Sequence, residues 1–185
     1  DLAALADIAR EAGAALIEDC AESLFSRYRE RPCGTWGDLG TFSFQATKTI
    51  TCGEGGLVLA RDTNLVERMR LIGSHGMRAD KKYWHYAVGH NFRLTNLQAA
   101  VLCAQWRHRE ELAQRRRQVY RWYQARLAGH PGLRFPRISD EVAPVMWAVA
   151  VRLDPTRIRM GRDALIARLL ADGIETRPGF YPLSA

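Results

Sequence analysis

The amino-acid sequence predicts an α/β domain, a sheet of largely parallel strands flanked by helices, followed by the start of a smaller α/β domain. Short apolar runs alternate with longer segments whose apolar residues recur with the helical period. The 185 residues, 47% of them hydrophobic, are enough to bury a substantial core. A connector that contains glycine and proline spans residues 129–136, which predicts domains over 1–128 and 129–185.

Short-range patterns define the first elements. Apolar residues recur with the helical period over residues 2–12, which predicts a helix packed on a sheet. The apolar run that follows reaches Ile17 and predicts a short buried strand. Residues 26–37 are rich in charge, glycine and proline, so we expect an exposed loop or hairpin there.

Two further strands bracket a glycine-rich turn. They are predicted over residues 40–44 and 57–60, where apolar residues dominate. Asp62 stands where an N-cap is expected, before a helix over residues 64–72 with apolar positions at the helical period. This alternation of strands and helices is what favours a parallel arrangement.

The second half begins with an irregular aromatic and polar segment over residues 78–91. Thr95 is then expected to cap a long inter-domain helix that runs to about Leu127. Beyond the connector, the predicted elements are short and alternate between strand and helix. They are a strand over 146–153, a helix over 163–171 and a strand over 174–177.

The composition of the chain limits the classes of protein to which it can belong. The formal net charge is +7, which could favour an anionic partner such as a nucleotide diphosphate. No apolar run approaches the ~18 residues that a membrane span requires, and the start does not resemble a signal peptide. The cysteines show no Cys-x-x-Cys spacing, so we predict no metal site and expect a reducing cytoplasm. They are Cys20, Cys33, Cys52 and Cys103.

Lys48 has the most unusual setting in the chain. It follows an apolar strand and precedes the glycine-rich stretch 53–56, whereas most lysines lie among polar residues on surfaces. Removal of water around such a lysine favours the neutral amine and Schiff-base chemistry. Upstream, an apolar run ends near Asp19. If the cofactor is pyridoxal phosphate, a carboxylate is the partner that its pyridinium nitrogen needs.

Several short motifs lie in order along the chain. They are residues 17–22 (IEDCAE), 34–38 (GTWGD), 42–48 (FSFQATK), 55–56 (GG), 74–77 (SHGM), 83–85 (YWH), 89–100 (GHNFRLTNLQAA) and 173–178 (GIETRP). Together they resemble the DegT/DnrJ/EryC1/StrS family of nucleotide-sugar aminotransferases, and within it most closely the perosamine synthase branch. The resemblance runs essentially end to end.

The resemblance implies a fold-type-I pyridoxal phosphate aminotransferase, here a partial large-domain sheet plus the start of the small C-terminal domain. Family members are about twice as long, so we expect a middle fragment, inactive alone, without the N-terminal loop that grips the cofactor phosphate. The implied reaction transfers an amino group from glutamate to GDP-4-keto-6-deoxymannose, giving GDP-perosamine. A dTDP- or UDP-linked keto sugar is the alternative. A cytoplasmic homodimer that serves polysaccharide (O-antigen) synthesis is also implied.

The same resemblance assigns roles to individual residues. Lys48 is expected to carry pyridoxal phosphate as a Schiff base and then to move protons. Asp19 should face the pyridine nitrogen, Glu22 should lie against the ring, and Ser43 should donate to the phosphate. Asn91 is expected to reach the phosphate of the neighbouring subunit. Each has an ordinary structural alternative, such as a turn aspartate, a helix-start glutamate or a strand serine bonded to backbone.

Four other positions are candidates for substrate binding. Tyr83, Trp84 and His85 have aromatic bodies and polar tips that suit a sugar or nucleotide, but loop packing explains them equally well. Arg177 could contact an anionic substrate or be simply solvated. Ser184 stands where the family commonly has histidine, which leaves the sugar open.

A rival interpretation comes from residues 107–126, which are basic and aromatic, as in a helix that binds nucleic acid. Glu110 and Glu111 interrupt the positive face, and no helix-turn-helix, finger or RNP-like motif accompanies it. A long amphipathic helix between domains explains the same residues, so we expect neither a nucleic-acid nor a membrane partner. A catalytically silent family member is a third possibility, against which Asp19, Ser43 and Lys48 argue.

Overall fold

The computed structural model describes residues 1–181, and within this range it contains five helices and eight strands. The helices are α1 (Leu2–Glu11), α2 (Thr63–Gly73), α3 (Asn96–Arg107), α4 (Arg109–Leu127) and α5 (Arg162–Ala171). The strands are β1 (Ile17–Asp19), β2 (Arg27–Tyr28), β3 (Arg31–Pro32), β4 (Leu39–Ser43), β5 (Gly56–Ala60), β6 (Leu133–Arg134), β7 (Val142–Ala143) and β8 (Arg152–Leu153). The predicted α/β class is confirmed.

The chain divides into two units. The first comprises residues 1–117 together with residues 140–147. The second comprises residues 118–139 and the described residues from 148 onward. Among residues 1–181, no helix combines the length and the apolar character that crossing a membrane requires.

The main sheet of the first unit has the strand order β1-β4-β5. β1 and β4 are parallel, with Asp19 opposite Thr41, whereas β4 and β5 are antiparallel, with Ser43 opposite Gly56. The prediction of largely parallel strands is therefore wrong for the described sheet. The reason is that β5 returns directly through the turn that carries Lys48, without the crossover that parallel strands need.

A small core lies beneath that turn. Phe44, Ile50 and Cys52 are buried, and Ile50 has no exposed surface. Partly buried residues from other segments pack around these three: Leu24, Phe25, Leu94, Leu102 and Leu112. The turn therefore rests on a packed apolar base, which limits its freedom to shift.

Both predicted N-caps are confirmed. The Asp62 carboxylate accepts from the amide of Asn64 at 2.8 Å, at the start of α2. Thr95 and Gln98 form a capping box at the start of α3.

The single long helix predicted from Thr95 to Leu127 is wrong. Its backbone breaks at His108, where φ is −101° and ψ is 14°, and the His108 amide bonds to the carbonyl of Gln105 at 3.0 Å. α4 then starts with Glu110 and Glu111 in its first turn. Acidic side chains are favourable at the positive N-terminal end of a helix, so these residues support a second start.

Residues 26–37 form the expected hairpin, but its predicted exposure is wrong in part. β2 pairs with β3 and also with β7, so that Tyr28 lies opposite Val142. Tyr28 and Ser26 are buried as a result. The Tyr28 hydroxyl donates to the Asp1 carboxylate at 2.8 Å.

The second unit contains a two-stranded sheet. β6 and β8 pair antiparallel, and the Tyr120 and Phe135 rings meet edge to face at 6.3 Å. α5 confirms the helix predicted over 163–171. Of the strand predicted over 146–153, only the two residues of β8 are observed. The strand predicted over 174–177 is wrong, because within residues 1–181 this segment pairs with no strand.

Candidate active site

Lys48 lies in the turn between β4 and β5. Its amide donates to the carbonyl of Gln45 at 2.9 Å, and the Gln45 side chain accepts from the amide and hydroxyl of Thr47. The next two residues, Thr49 and Ile50, are buried. The backbone is therefore anchored directly on both sides of the lysine.

The Lys48 side chain is only 14% exposed and has two partners. Its Nζ atom lies 3.8 Å from Glu22 Oε1 and 4.2 Å from the centroid of the Trp147 ring. A carboxylate and an aromatic face both attract an ammonium group. The structure therefore brings together two residues that the sequence motifs singled out, Lys48 and Glu22.

Asp19 and Ser43 end two neighbouring parallel strands, β1 and β4. The carboxyl ends of parallel strands meet at the same edge of a sheet, which is where open α/β sheets bind ligands. Asp19 is exposed there, and its Oδ1 atom accepts from the amide of Ala21 at 3.0 Å. Ser43 Oγ accepts from the amide of Gln45 at 3.3 Å, and its proton is available for donation.

Glu18, beside Asp19, is a residue that the sequence analysis missed. It is buried, and its carboxylate accepts three backbone hydrogen bonds, from Gly34 at 2.7 Å, Trp36 at 2.6 Å and Gly37 at 2.8 Å. Successive strand residues face opposite sides of a sheet, so Glu18 fixes the neighbouring loop while Asp19 faces outward. This alternation along β1 is the sequence signal from which a buried Glu18 could have been predicted.

Arg116 and Trp147 were also missed as neighbours of Lys48. Arg116 donates to the carbonyls of Thr47 at 3.3 Å and Lys48 at 3.4 Å. Trp147 Nε1 donates to the Thr47 carbonyl at 2.9 Å. No local pattern identifies these contacts, because they join segments far apart in the sequence.

The segment that follows α2 carries four more candidates. Asn91 is exposed and its backbone bridges to Ser74, while Tyr83 is 86% exposed. The Trp84 ring lies 4.0 Å from Lys81 Nζ, and His85 Nδ1 lies 2.6 Å from the carbonyl oxygen of His75. Within residues 1–181, none of the four hydrogen-bonds to Lys48, Asp19, Glu22 or Ser43.

Two remaining positions lie near the end of the chain. Arg177 is exposed and follows α5 in the second unit. Ser184 lies outside the described residues.

The side chains at the edge of the sheet fit pyridoxal phosphate. Lys48 offers an amine for its aldehyde, Asp19 a carboxylate for its pyridine nitrogen, and Ser43 a hydroxyl for its phosphate. All three belong to the first unit.

Comparison with known proteins agrees with this chemistry. The sequence model of the DegT/DnrJ/EryC1/StrS aminotransferase family matches residues 1–185. GDP-perosamine synthase of Caulobacter vibrioides is 38% identical over 185 residues, which cover 99% of this chain and 49% of that protein. dTDP-3-amino-3,4,6-trideoxy-alpha-D-glucose transaminase of Streptomyces venezuelae is 36% identical over 177 residues, 95% of this chain and 45% of that protein.

A solved structure agrees as well. The crystal structure of the aminotransferase TlmJ from Streptoalloteichus hindustanus superposes with a TM-score of 0.89 at 34% identity, covering 99% of this chain and 49% of TlmJ. The chain thus spans about half the length of the relatives it matches. The match over the whole chain confirms the resemblance, and the chain belongs to the DegT/DnrJ/EryC1/StrS aminotransferase family.

Proposed function

We propose that the whole protein is a pyridoxal-phosphate-dependent aminotransferase that moves the amino group of glutamate to C4 of a nucleotide-linked 4-keto-6-deoxy sugar. The observation that carries the proposal is Lys48, a largely buried amine beside Glu22, in the turn that follows β4. Membership in an aminotransferase family supports it. When bound, pyridoxal phosphate supplies an electron sink for the charge left by proton removal.

Each side chain at this edge then has a task. Lys48 holds the cofactor through its amine and, once released, carries a proton to and from the reacting carbon. The Asp19 carboxylate keeps the pyridine nitrogen protonated, and Ser43 donates to the phosphate. Glu22 lies against the ring, beside the Lys48 amine. These assignments extend the expectations drawn from the sequence motifs.

For the sugar, we propose GDP-4-keto-6-deoxymannose, converted to GDP-perosamine. The support is the 38% identity to a protein named GDP-perosamine synthase. The alternative substrate is a dTDP- or UDP-linked keto sugar. The 36% identity to a protein named as a dTDP-amino-sugar transaminase supports this alternative. A positively charged chain suits any of these diphosphates.

We further propose a cytoplasmic homodimer with shared active sites that supplies an amino sugar for O-antigen or another surface polysaccharide. In this dimer, Asn91 contacts the cofactor phosphate of the neighbouring subunit, and its exposure is compatible with that role. Tyr83, Trp84 and His85 contribute to the sugar or nucleotide surface, and Arg177 to binding of the substrate anion. The division into a large domain ending near residue 128 and a small domain stays a prediction, and the fragment alone is expected to be inactive.

The test uses the full-length protein incubated with pyridoxal phosphate, reduced with borohydride and digested for peptide mass spectrometry. The present chain has three lysines, so Lys81 and Lys82 serve as internal references. We expect the tag on Lys48 and its loss when the protein is first treated with glutamate. A Lys48 without a tag would contradict the proposed function. Product formation with GDP-, dTDP- and UDP-linked keto sugars then decides among the substrates.

A further inference from the structure

Arg116 and Trp147 make an interlocked set of contacts around Lys48, called here the Arg116–Trp147 pair. The guanidinium Nη1 atom donates to the Trp147 carbonyl at 3.1 Å. Its Nη2 atom donates to the carbonyls of Thr47 and Lys48. One side chain of α4 therefore joins the backbone that carries the lysine to the backbone that carries the tryptophan.

Arginine suits this position because its guanidinium is planar, permanently charged and offers five N–H donors in a fixed arrangement. Three carbonyl oxygens in two segments are within its reach. A lysine ammonium is a compact point charge on a flexible side chain, and the glutamine amide has no charge. Either substitution at Arg116 would hold fewer of these carbonyls, or hold them more weakly.

Trp147 acts on the same turn through two parts of its indole ring. Nε1 donates to the Thr47 carbonyl at 2.9 Å, while the ring face lies 4.2 Å from Lys48 Nζ. Glu22 lies 3.8 Å from the same Nζ atom. The tryptophan thus fixes both the backbone just before the lysine and the position of its amine.

Firm supports hold both members of the pair. Arg116 lies on α4 about one turn after Leu112 and Ala113. Leu112 packs on the core and Ala113 is buried. Trp147 follows the buried Val145, whose amide donates to Ser26 Oγ at 2.9 Å. All of these residues lie in the first unit. Because its supports are packed, the pair can hold the turn in one arrangement.

We propose that Arg116 and Trp147 are positioning residues that fix the Lys48 amine for attachment of the cofactor. This inference rests on the proposed function of Lys48 as the attachment point. Attachment requires the amine at one place and orientation, and a small displacement of a reacting group slows such a step strongly. The pair acts through Lys48 and does not itself contact reacting atoms.

The first experiment measures the Lys48 amine in cofactor-free full-length protein. Reductive methylation with formaldehyde and cyanoborohydride is followed by peptide mass spectrometry, with the exposed Lys82 as reference. In Trp147→Leu and Arg116→Gln, we expect methylation of Lys48 relative to Lys82 to rise by about threefold or more, because the amine loses its confinement. Trp147→Phe and Arg116→Lys keep part of the contacts and should give intermediate values.

The second experiment measures the rate at which pyridoxal phosphate attaches, from the borohydride tag on Lys48 sampled over time. We expect that rate to fall by about threefold or more in the two truncating variants and by less in the conservative ones. Trp122→Leu and Arg115→Gln are matched controls on α4. The Trp122 side chain is exposed and the exposed Arg115 bonds to Glu111, so both variants should behave as wild type.

The outcomes separate the two proposals. Unchanged methylation and unchanged attachment in variants that remain folded, judged by thermal unfolding, overturn the positioning role alone. If the truncating variants do not fold, wild-type behaviour of both Trp147→Phe and Arg116→Lys overturns it instead. Absence of any tag on wild-type Lys48 overturns the proposed function, and the positioning role with it.

Discussion

Glu18 Oε1 lies 2.6 Å from the backbone nitrogen of Trp36, so a buried carboxylate is joined to the main chain of a neighbouring loop. The same side chain also accepts from Gly34 and Gly37. Three backbone amide donors therefore offset the burial of this carboxylate. Two adjacent carboxylates therefore lie on opposite faces of β1, with Glu18 buried and bonded to the 34–37 loop and Asp19 exposed.

We predict that Glu18→Gln destabilises the full-length protein by about 3 kcal/mol, because the amide group replaces one acceptor with a donor that faces buried N–H groups. Denaturant unfolding measures the change. Glu11→Gln, at an exposed position at the end of α1, is the matched control and should leave the free energy of unfolding unchanged. A Glu18→Gln protein as stable as wild type would contradict this account.

Asp19→Asn should reduce activity and leave stability almost unchanged. The asparagine oxygen can still accept from the amide of Ala21, so the free energy of unfolding should stay within about 0.5 kcal/mol of wild type. Aminotransferase activity should fall by about a hundredfold or more, because asparagine cannot keep the pyridine nitrogen protonated. Steady-state kinetics and thermal unfolding on the same sample check both parts. Retained activity would remove Asp19 from the proposed site.

Gly40→Ala tests the close approach of β4 to the 34–37 loop. A methyl group at Gly40 would lie 2.6 Å from the Gly34 Cα atom, which is backbone and cannot rotate away. We expect a loss of about 2–3 kcal/mol in the free energy of unfolding. Gly129→Ala, which meets no neighbouring atom, is the control and should cost little. Equal effects of the two substitutions would count against the predicted clash.

The Arg29–Glu141 ion pair predicts a pH dependence. The hydrogen bond from Arg29, 2.6 Å long, lowers the pKa of the Glu141 carboxyl. Because the folded-state pKa lies below the unfolded value, the stabilisation is fully present above the ordinary glutamate pKa and disappears as pH falls through the folded value.

We therefore expect Glu141→Gln to lower the melting temperature slightly at about pH 7 and to have a smaller effect at about pH 3. Thermal unfolding of both proteins at each pH measures the difference. Glu110→Gln, which removes an exposed helix glutamate paired with its neighbour Arg109, is the comparison variant. An unchanged difference between wild type and Glu141→Gln at the two pH values would contradict the prediction.

The features predicted correctly from sequence are mostly local. Asp62 and Thr95 cap helices through contacts with residues two or three positions away, so a short pattern contains the information. The turn around Lys48 was also found from its own neighbourhood, an apolar strand before it and glycines after it. The roles of Lys48, Asp19 and Ser43 remain predictions.

The features that sequence reasoning missed depend on the tertiary structure. The break at His108 contains neither glycine nor proline, so no local signal marks it. Arg116 was interpreted as part of a basic helix face, whereas it contacts a carbonyl 31 residues away. Pairing of β4 with β5 likewise depends on the path of the turn between them. Such contacts follow from how distant segments pack, which periodicity does not report.

The first unit is made from two separate stretches of chain, and this has a consequence during synthesis. β7 and Trp147 come from residues 140–147, after the chain has already run through residues 118–139 of the other unit. A ribosome-bound chain that stops before Val142 contains the β4–β5 turn but lacks both Trp147 and the strand that pairs with Tyr28. The contacts around Lys48 are therefore complete only after residue 147 has left the ribosomal tunnel.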